Sequence, residues 1–238
     1  MAKQSVAGEV KTRLVPPLSF AQAAAFNTAC LLDVAGNLEV AAAGQAPIAP
    51  LVAYSPAGAE RFFAELLPPQ VGLLGPREAS LGRSLFHAAR DLLGRGYGAV
   101  CLLNADSPTL PTEFVVRAAC RLAEPGERVV LGPAADGGYY LIGFKNFYPR
   151  LFEAIDWSTE RVFRQTLARA AELGLESVVL PEWYDVDDGD GLALLGDELF
   201  GGGGRWRSGY AAPAVSGLLR DLAAANDGVR RLLRLSPR

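Results

Sequence analysis

The stretch Ala99–Pro111, AVCLLNADSPTLP, decides how the chain folds. An apolar run, Ala99–Leu103, ends in a polar loop that contains Asn104 and Asp106, and Pro111 then marks the start of a helix. In an open α/β sheet, ligands bind beyond the carboxyl ends of the strands, where such loops leave a crevice. An aspartate there is costly to bury without a partner, so Asp106 is a candidate ligand for a metal ion or for a phosphate-bearing substrate.

Short apolar runs of this kind alternate along the chain with helical patterns of about ten or more residues. Further strands are predicted at Pro50–Tyr54, Val71–Leu74, Arg128–Leu131, Tyr139–Phe144 and Ser177–Leu180. Helices are predicted from a cap at Ser19 to about Ala43, with a break near Gly36, and at Gly58–Leu67, Leu81–Leu93, Thr159–Leu173 and Leu192–Phe200. This alternation predicts an α/β fold in three layers, α/β/α, around a mostly parallel, Rossmann-like sheet.

The chain divides into a body, residues 1–200, a glycine linker at Gly201–Gly204, and a basic tail, residues 205–238. The tail contains two amphipathic helical patterns and carries a net charge of +5, which leaves −8 on residues 1–204. We expect the tail to dock on its own acidic body or on a second copy of the chain, which would give a homodimer. An acidic body argues against nucleic-acid binding, which needs a basic face.

Composition argues against several classes of protein. Half of the 238 residues are hydrophobic, which is enough for the core of one large domain. No apolar run approaches the roughly 20 residues that span a bilayer, and the polar N-terminus does not have the pattern of a signal peptide. Three widely spaced cysteines indicate reduced thiols and a cytoplasmic protein.

Two common kinds of catalytic site are also poorly supported. The sequence has a single histidine, His87, so it lacks a histidine pair for zinc and has no GxSxG segment for a nucleophilic serine. Gly94, Gly96 and Gly98 precede a strand, whereas the glycines of a dinucleotide-binding loop follow one. A nicotinamide dehydrogenase and a Walker-type ATPase therefore do not fit.

Four polar segments lie at loops beside predicted strands: Gly8–Arg13, Asp106–Pro108, Asp136–Gly138 and Asp185–Asp187. Asp185 and Asp187 are two residues apart, so on an extended segment both point to one face, and either could join Asp106 at one divalent cation. Mg²⁺ commonly takes one or two protein carboxylates and completes its shell with phosphates and water. Lys11 and Arg13 would supply fixed positive charge for the phosphates of a nucleotide.

Each of these residues also has an ordinary structural explanation. Asp106 could cap the turn that follows it, and Asp187 or Asp188 could be the N-cap of the last helix. Lys11 and Arg13 could be solvated surface charges.

The remaining candidates have such explanations too. Asp136–Gly138 could be only a turn, Trp157 could be a core residue, and Ser158 or Thr159 could be a plain N-cap. The functional interpretation is favoured because all of these segments occur together in one α/β chain.

Five segments occur in order along the chain: GEVKTRLVPPLS, LLNADSPTLP, GPAADGGYYLIGF, DWSTERVFRQTLAR and LPEWYDVDDGDGL. Together they resemble the DUF2064 family, a bacterial group of proposed glycosyltransferases with the GT-A fold, within the nucleotide-diphospho-sugar transferase superfamily. Molybdenum-cofactor and phospholactate guanylyltransferases are more distant relatives of that fold. The similarity extends over about residues 3–200, and five ordered motifs are far more specific than one.

The resemblance implies a nucleotide-binding sheet of GT-A type and a divalent metal ion at Asp106. With the spacing argument above, Mg²⁺ or Mn²⁺ there would be shared with Asp185 or Asp187. It also implies that the Lys-Thr-Arg segment faces the donor phosphates. The residues expected around the nucleotide are Gly8, Lys11, Arg13 and Asn104. Asp136 would contact the acceptor and act as its base. The residues expected to bind the acceptor are Gly137, Gly138, Tyr140, Trp157, Ser158 and Thr159.

Two features depart from the pattern of the family. Where the family has Gly-Asp-Leu-Gly, this chain has Ala79-Ser80-Leu81-Gly82, so that aspartate is missing. The apolar run that forms the family's first strand is also missing, because Met1 falls almost on the loop. We expect either a start codon assigned too late or a trimmed central strand.

Three functions are compatible with these residues. The first is metal-dependent glycosyl transfer from a nucleotide-diphospho-sugar to an acceptor that the sequence does not name. The second is nucleotidyl transfer to a phosphorylated small molecule, as in the guanylyltransferases. The third is a non-catalytic binding protein on the same fold, which the two departures and the arginine-rich tail motivate.

Overall fold

The computed structural model describes residues 1–44, 47–75, 80–201, 205–206 and 209–235. The strands are β1 (Ala2–Lys3), β2 (Leu51–Ser55), β3 (Gly72–Leu74), β4 (Val100–Leu103), β5 (Arg128–Pro133), β6 (Tyr139–Phe144) and β7 (Glu176–Val179). The α-helices are α1 (Phe20–Ala42), α2 (Glu60–Leu66), α3 (Leu81–Gly94), α4 (Thr112–Ala123), α5 (Val162–Glu172), α6 (Gly189–Gly196), α7 (Pro213–Ala225) and α8 (Asp227–Leu232).

The strands form two hydrogen-bonded groups, in the orders β1-β2-β3 and β4-β6-β5-β7. Every pairing is parallel except those of β6, which runs antiparallel to β4 and β5. The α-amino group of Met1 donates to the carbonyl of Leu103 at 2.9 Å and so connects β1 with β4. The predicted α/β fold with a mostly parallel sheet is confirmed.

Both faces of the sheet are covered, as the apolar runs predict. On β5, Val129 and Leu131 pack into one buried cluster with α3 and α5, whereas Val130 packs into another with α1, α4 and α7. All three side chains are fully buried. A strand that is buried on both faces needs a continuous apolar sequence, and this is why these strands could be located from the sequence.

Strand β1 was not expected, because two residues provide no apolar run. These two residues form a strand because they pair in parallel with the end of β2, where Ala2 aligns with Tyr54 and Lys3 with Ser55. Helix α1 also differs from the expectation, since it continues through Gly36 without a break. A Cβ at Gly36 would lie 2.9 Å from the Tyr210 hydroxyl oxygen, so the glycine makes room for that side chain.

The C-terminal helices pack against the body of the same chain. Asp33 on α1 accepts hydrogen bonds from the backbone N–H groups of Ala214 (3.0 Å) and Val215 (2.8 Å) at the start of α7. Val215 and Leu219 are completely buried in the cluster that contains α1. Helix α7 thereby covers one side of α1. None of the helices in the described ranges is long and apolar enough to cross a membrane.

The predicted glycine linker, Gly201–Gly204, lies outside the described residues except for Gly201, which ends a short π-helical turn, Asp197–Gly201. Ala79, the first residue of the altered family motif, is also outside them. Asp188 is the N-cap of α6, because its carboxylate accepts from the Gly191 N–H at 3.1 Å. The structural explanation of Asp188 is therefore confirmed.

Candidate functional site

The loops that follow β1, β4, β5 and β7 meet at one edge of the sheet. Val186 donates its N–H to the carbonyl of Asp106 at 2.8 Å, and Ala135 donates its N–H to the carbonyl of Trp183 at 2.9 Å. The segment after β7 is thus hydrogen-bonded both to the loop after β4 and to the loop after β5. This edge is where ligands bind in open α/β sheets.

Lys11 is at the centre of the site. Its backbone is left-handed, with φ at 49°, and its side chain is buried, with 4% of it exposed. The ammonium group contacts the carboxylate of Asp106, the Oδ1 of Asp187 at 2.9 Å, and the carbonyl of Val186 at 2.8 Å. An ammonium has three protons to donate, and here each has an acceptor.

The electrostatics of this contact favour the charged lysine. Burial alone would lower the pKa of Lys11, but the charge of Asp106, with further contributions from Cys30 and Asp187, raises the pKa above its ordinary value. Arg13 adds a second cation, because its Nη2 lies 2.8 Å from the Oδ2 of Asp187. The arginine side chain is 65% exposed, so it borders the open side of the site.

The carboxyl group of Asp185 is partly buried and lies near other aspartates. Burial, together with repulsion from Asp136, Asp187 and Asp106, raises the pKa of its carboxyl group from 3.8 to about 7. The structure therefore brings together the four aspartates that the sequence singled out from three separate loops.

A polar cleft of about 250 Å³ opens beside these groups. Its walls consist of Lys11, Arg13, Asp106 and Asp187, together with Lys3, Glu9, Val10, Thr12 and Asn27. Gly8 lies at the turn before Lys11, with φ at 83° and open space around its α-carbon. Asn104 follows β4 and is partly buried, with its N–H bonded to the Tyr140 carbonyl at 3.0 Å.

The loop Asp136–Gly138 forms a tight turn. The carboxylate of Asp136 accepts from the N–H of Gly138 at 2.8 Å, and Gly137 has φ at 91°. A side chain at Gly137 would overlap the backbone of Glu160, and Phe163 donates its N–H to the Gly137 carbonyl at 3.0 Å. The turn and the start of α5 are therefore in direct contact.

The segment before α5 contains the other expected acceptor residues. The indole of Trp157 packs so closely on Gly82, in the first turn of α3, that a Cβ there would overlap it. Ser158 has a left-handed backbone, with φ at 63°, and Thr159 donates its hydroxyl to the Asp156 carbonyl at 2.7 Å. Helix α5 begins at Val162, so neither Ser158 nor Thr159 is its N-cap.

Tyr140 does not line this region. Its side chain is fully buried beneath Gly132, and its hydroxyl donates to the carbonyl of Pro181 at 2.9 Å. Tyr140 is therefore a core residue, and the expectation that it contacts an acceptor is corrected. The physical reason is that Gly132 on the neighbouring strand β5 has no side chain, and the Tyr140 ring occupies the space that a side chain there would fill.

Two contributors to the site were missed in the sequence. The carbonyl of Val186 binds Lys11, and Asn27 on α1 donates to the carbonyl of Lys3 at 3.2 Å and to the Ser5 hydroxyl at 2.9 Å. The backbone carbonyl has no signal in a sequence. A buried asparagine within the apolar pattern of α1 is a signal that could have been used.

Within the described ranges, no set of three or more His, Cys, Asp or Glu side chains is arranged to hold a metal ion. Asp106 and Asp187 are both within reach of one cation, since both contact the ammonium of Lys11. Two carboxylates are the number that Mg²⁺ commonly takes from a protein when phosphates and water complete its shell. The donor set fits an ion that binds together with a phosphate-bearing ligand.

A model of the DUF2064 family, described as uncharacterized protein conserved in bacteria, matches residues 37–159. The chain belongs to the DUF2064 family. The matched range of this DUF2064 protein contains Asp106 and Asp136, and Lys11 and Asp187 lie outside it. No curated protein is significantly similar to it in sequence.

Two solved structures are similar to this DUF2064 protein. One is a "putative nucleotide-diphospho-sugar transferase" of Desulfovibrio desulfuricans G20, with 30% identity over 97% of this chain and 95% of that chain and a TM-score of 0.80. The other is a 4-diphosphocytidyl-2C-methyl-D-erythritol synthase, with 17% identity over 64% of this chain and 78% of that chain and a TM-score of 0.45. The first shows that the fold is that of a nucleotide-diphospho-sugar transferase.

Proposed function

We propose that the protein is a metal-dependent glycosyltransferase that uses a nucleotide-diphospho-sugar as donor. The observation that carries this proposal is the ammonium of Lys11 between the carboxylates of Asp106 and Asp187, at the sheet edge where ligands bind. The similarity to the Desulfovibrio structure supports the class of donor. Mg²⁺ or Mn²⁺ is the ion that these oxygen ligands suit.

The proposed donor site is the polar cleft beside Lys11. Arg13 has an exposed guanidinium that can grip a phosphate through two parallel hydrogen bonds. Lys11 would turn from the carboxylates toward the donor phosphates when the ion binds, because the ion and the ammonium compete for the same oxygens. Gly8 and Asn104 would border the nucleotide.

Asp106 and Asp187 would hold the ion, and Asp185 would be available as a further ligand. The pKa of Asp185 is raised first by burial and then by the neighbouring aspartates, and a bound cation would offset the second of these effects. When bound, such an ion neutralises the charge that develops on a leaving diphosphate. Lys11 and Arg13 would stabilise the same charge electrostatically.

The proposed acceptor site lies between the Asp136–Gly138 turn and the segment Trp157–Thr159. Asp136 holds the turn with one carboxylate oxygen, and a carboxylate has a second oxygen with which to accept a proton from an acceptor hydroxyl. Gly137 and Gly138 would let the acceptor approach the backbone closely. Trp157, whose indole packs on Gly82 of α3, would line the acceptor side.

Thermal unfolding in the presence of nucleoside triphosphates and nucleotide-diphospho-sugars, each with Mg²⁺ or Mn²⁺, tests the proposal. A donor raises the unfolding midpoint only together with the ion, because ligand binding stabilises the folded state. Product analysis then identifies the reaction, since glycosyl transfer releases a nucleoside diphosphate and nucleotidyl transfer releases pyrophosphate. Release of pyrophosphate, or the absence of any metal-dependent nucleotide binding, would contradict the proposal.

A further inference from the structure

A hydrogen-bonded cluster of buried side chains joins the two loops that carry Asp106 and Asp187. Thr109 follows Asp106 by three residues, and Tyr184 precedes Asp187 by three residues. Both side chains are buried, and the Thr109 hydroxyl lies 3.2 Å from the hydroxyl oxygen of Tyr184. Neither residue lines the polar cleft, so this contact acts on the site from within the protein.

Glu198, on the π-helical turn Asp197–Gly201, supplies the acceptor for this cluster. Its carboxylate accepts a hydrogen bond from the Tyr184 hydroxyl, and it is also hydrogen-bonded to the Thr109 side chain and to the Gly209 N–H. A carboxylate can accept several hydrogen bonds at once. A single side chain thus holds both hydroxyls.

The chain that follows the turn closes over the same cluster. Gly209 packs so closely on Thr109 that a Cβ there would overlap the Thr109 carbonyl oxygen, and Tyr210 donates its N–H to that carbonyl at 3.0 Å. Trp206 packs against the ring of Tyr184, with 5.6 Å between the ring centroids. These residues lie beyond the range that matches the family model, yet they contact both loops of the site.

A cation that displaces the Lys11 ammonium takes away the contact that connects Asp106 with Asp187. The hydrogen bond from the Val186 N–H to the Asp106 carbonyl, at 2.8 Å, remains between the two loops. The buried cluster of Glu198 takes no part in the exchange of cations, so it holds the loops whichever cation is bound. Partners of this kind do not touch a metal ion themselves, but they orient the side chains that do.

We propose that Glu198 is a positioning residue. Through Tyr184 and Thr109 it holds the loops of Asp106 and Asp187 at a separation at which both carboxylates contact one cation. The inference rests on the proposed function for the identity of that cation, and on contacts within this chain for the arrangement of the loops. It gives the chain after α6 a part in the site in addition to its part in the core.

Four variants of the full chain test the inference. Glu198→Ala removes the acceptor, and Tyr184→Phe keeps the ring but removes the hydroxyl that joins the two sides. Glu198→Gln is the conservative variant, since an amide both accepts and donates and can keep the hydrogen bonds of the cluster. Asp197→Ala is the matched control, because this neighbouring carboxylate pairs with Arg234 at 2.9 Å and is not part of the cluster.

Amide hydrogen exchange, measured by NMR at single residues, is the first readout. The Val186 N–H is bonded to the loop of Asp106 and reports on the site, whereas the Leu180 N–H donates to the Leu131 carbonyl at 2.8 Å and reports on the sheet. The measured quantity is the exchange rate of Val186 relative to that of Leu180. A loss of stability throughout the protein changes both rates, whereas a loss of positioning changes their ratio.

Glu198→Ala and Tyr184→Phe should increase this exchange ratio by at least about tenfold. Glu198→Gln and Asp197→Ala should leave it near the wild-type value. An unchanged ratio in Glu198→Ala and Tyr184→Phe, or an equal increase in Asp197→Ala, would overturn the inference.

Mn²⁺ alone is the probe of the second readout, with binding measured by electron paramagnetic resonance of the free ion. Glu198→Ala and Tyr184→Phe should bind Mn²⁺ at least about tenfold more weakly than the wild type, and Glu198→Gln should keep the wild-type affinity. Wild-type affinity in both disruptive variants would overturn the positioning role, even if the exchange ratio rises. If the wild type itself binds no Mn²⁺, the proposed metal site fails, and the exchange ratio alone decides whether Glu198 positions the loops.

Discussion

Lys11 and Asp106 are 95 residues apart in the sequence, yet their side chains form the central ion pair of the candidate site. The same ammonium also contacts Asp187, so one lysine connects the loop after β1 with the loops after β4 and β7. A cation is thus held at the place proposed for the metal ion. The lysine and the ion must compete there.

Lys11→Met tests this competition. Without the ammonium, Asp106 and Asp187 are left as two partly buried carboxylates, and the free energy of unfolding should fall by about 2 kcal/mol in the absence of divalent ions. Mn²⁺ should then bind to the nucleotide-free variant at least about tenfold more tightly than to the wild type. Electron paramagnetic resonance of free Mn²⁺ measures this directly.

Lys3→Met is the matched control for Lys11→Met. Lys3 lines the same cleft, but its ammonium donates to the carbonyl of Glu9 at 2.9 Å and contacts neither Asp106 nor Asp187 in the structure. We expect its Mn²⁺ affinity to stay near that of the wild type. Equal Mn²⁺ affinities of Lys11→Met and the wild type would contradict the competition.

Asp106→Asn should weaken metal-dependent nucleotide binding by on the order of tenfold or more, since the ion would lose one of its one or two protein carboxylates. The measurement is the nucleotide-induced rise in the unfolding midpoint as a function of Mg²⁺ or Mn²⁺ concentration. Asp190→Asn is the control, because Asp190 is exposed in the first turn of α6. If Asp106→Asn keeps the metal-dependent rise, Asp106 does not hold the ion.

The fold was largely predictable because its buried strands are continuous apolar runs. The two exceptions each have a specific cause. Strand β1 exists through its pairing with Tyr54 and Ser55, which no pattern within two residues can show. The break expected at Gly36 does not occur, because this glycine serves a contact with Tyr210 from a distant part of the chain. Both errors come from partners that are far away in sequence.

The site was predictable at the level of loops and less so at the level of side chains. Asp106, Asp136, Asp185 and Asp187 come together as expected, since polar loops that follow parallel strands share one edge. The burial of Tyr140 depends on Gly132 of the neighbouring strand, and this neighbour is set by the strand order. Strand order is not encoded in the apolar pattern of any one strand.

Asp185 should make the stability of the metal-free protein depend on pH. Its folded-state pKa of about 7 lies above the unfolded value of 3.8, so the folded state retains a proton that the unfolded state has lost. The stability associated with this group is therefore lost as pH rises from about 4 through about 7. The side chain of the Asp185→Asn variant cannot ionise. Between pH 5 and pH 8 its unfolding midpoint should therefore fall by about 3 °C less than that of the wild type.

The same measurements with Asp190→Asn should reproduce the pH dependence of the wild type, since Asp190 is exposed and outside the cluster. Saturating Mg²⁺ or Mn²⁺ with a bound nucleotide should reduce the difference in pH dependence between Asp185→Asn and the wild type, because a bound cation offsets the repulsion among the carboxylates. Identical pH profiles of Asp185→Asn and the wild type would refute the electrostatic role given to Asp185.

Asp33→Ala should loosen the C-terminal helices. The buried carboxylate of Asp33 accepts two N–H groups at the start of α7, and its removal leaves both without that acceptor. We expect a loss of about 2 to 3 kcal/mol in unfolding free energy and faster proteolysis within residues 213–235. Asp221→Ala, at an exposed position of α7, is the control and should have little effect on either measurement. Unchanged proteolysis of Asp33→Ala would show that α7 is held without this contact.

Gly137→Ala tests whether the turn that contains Asp136 packs firmly against the start of α5. Gly174→Ala is the control for the effect of backbone conformation alone. Gly137 and Gly174 both have a positive φ, at 91° and 67°, but a Cβ overlaps the backbone of Glu160 only at Gly137 and meets nothing within 4 Å at Gly174. Gly174→Ala should cost about 1 kcal/mol in unfolding free energy. Gly137→Ala should cost about 3 kcal/mol or more, because the turn must move away from the start of α5. Denaturant unfolding measures both, and equal losses would mean that the turn and α5 are not in firm contact.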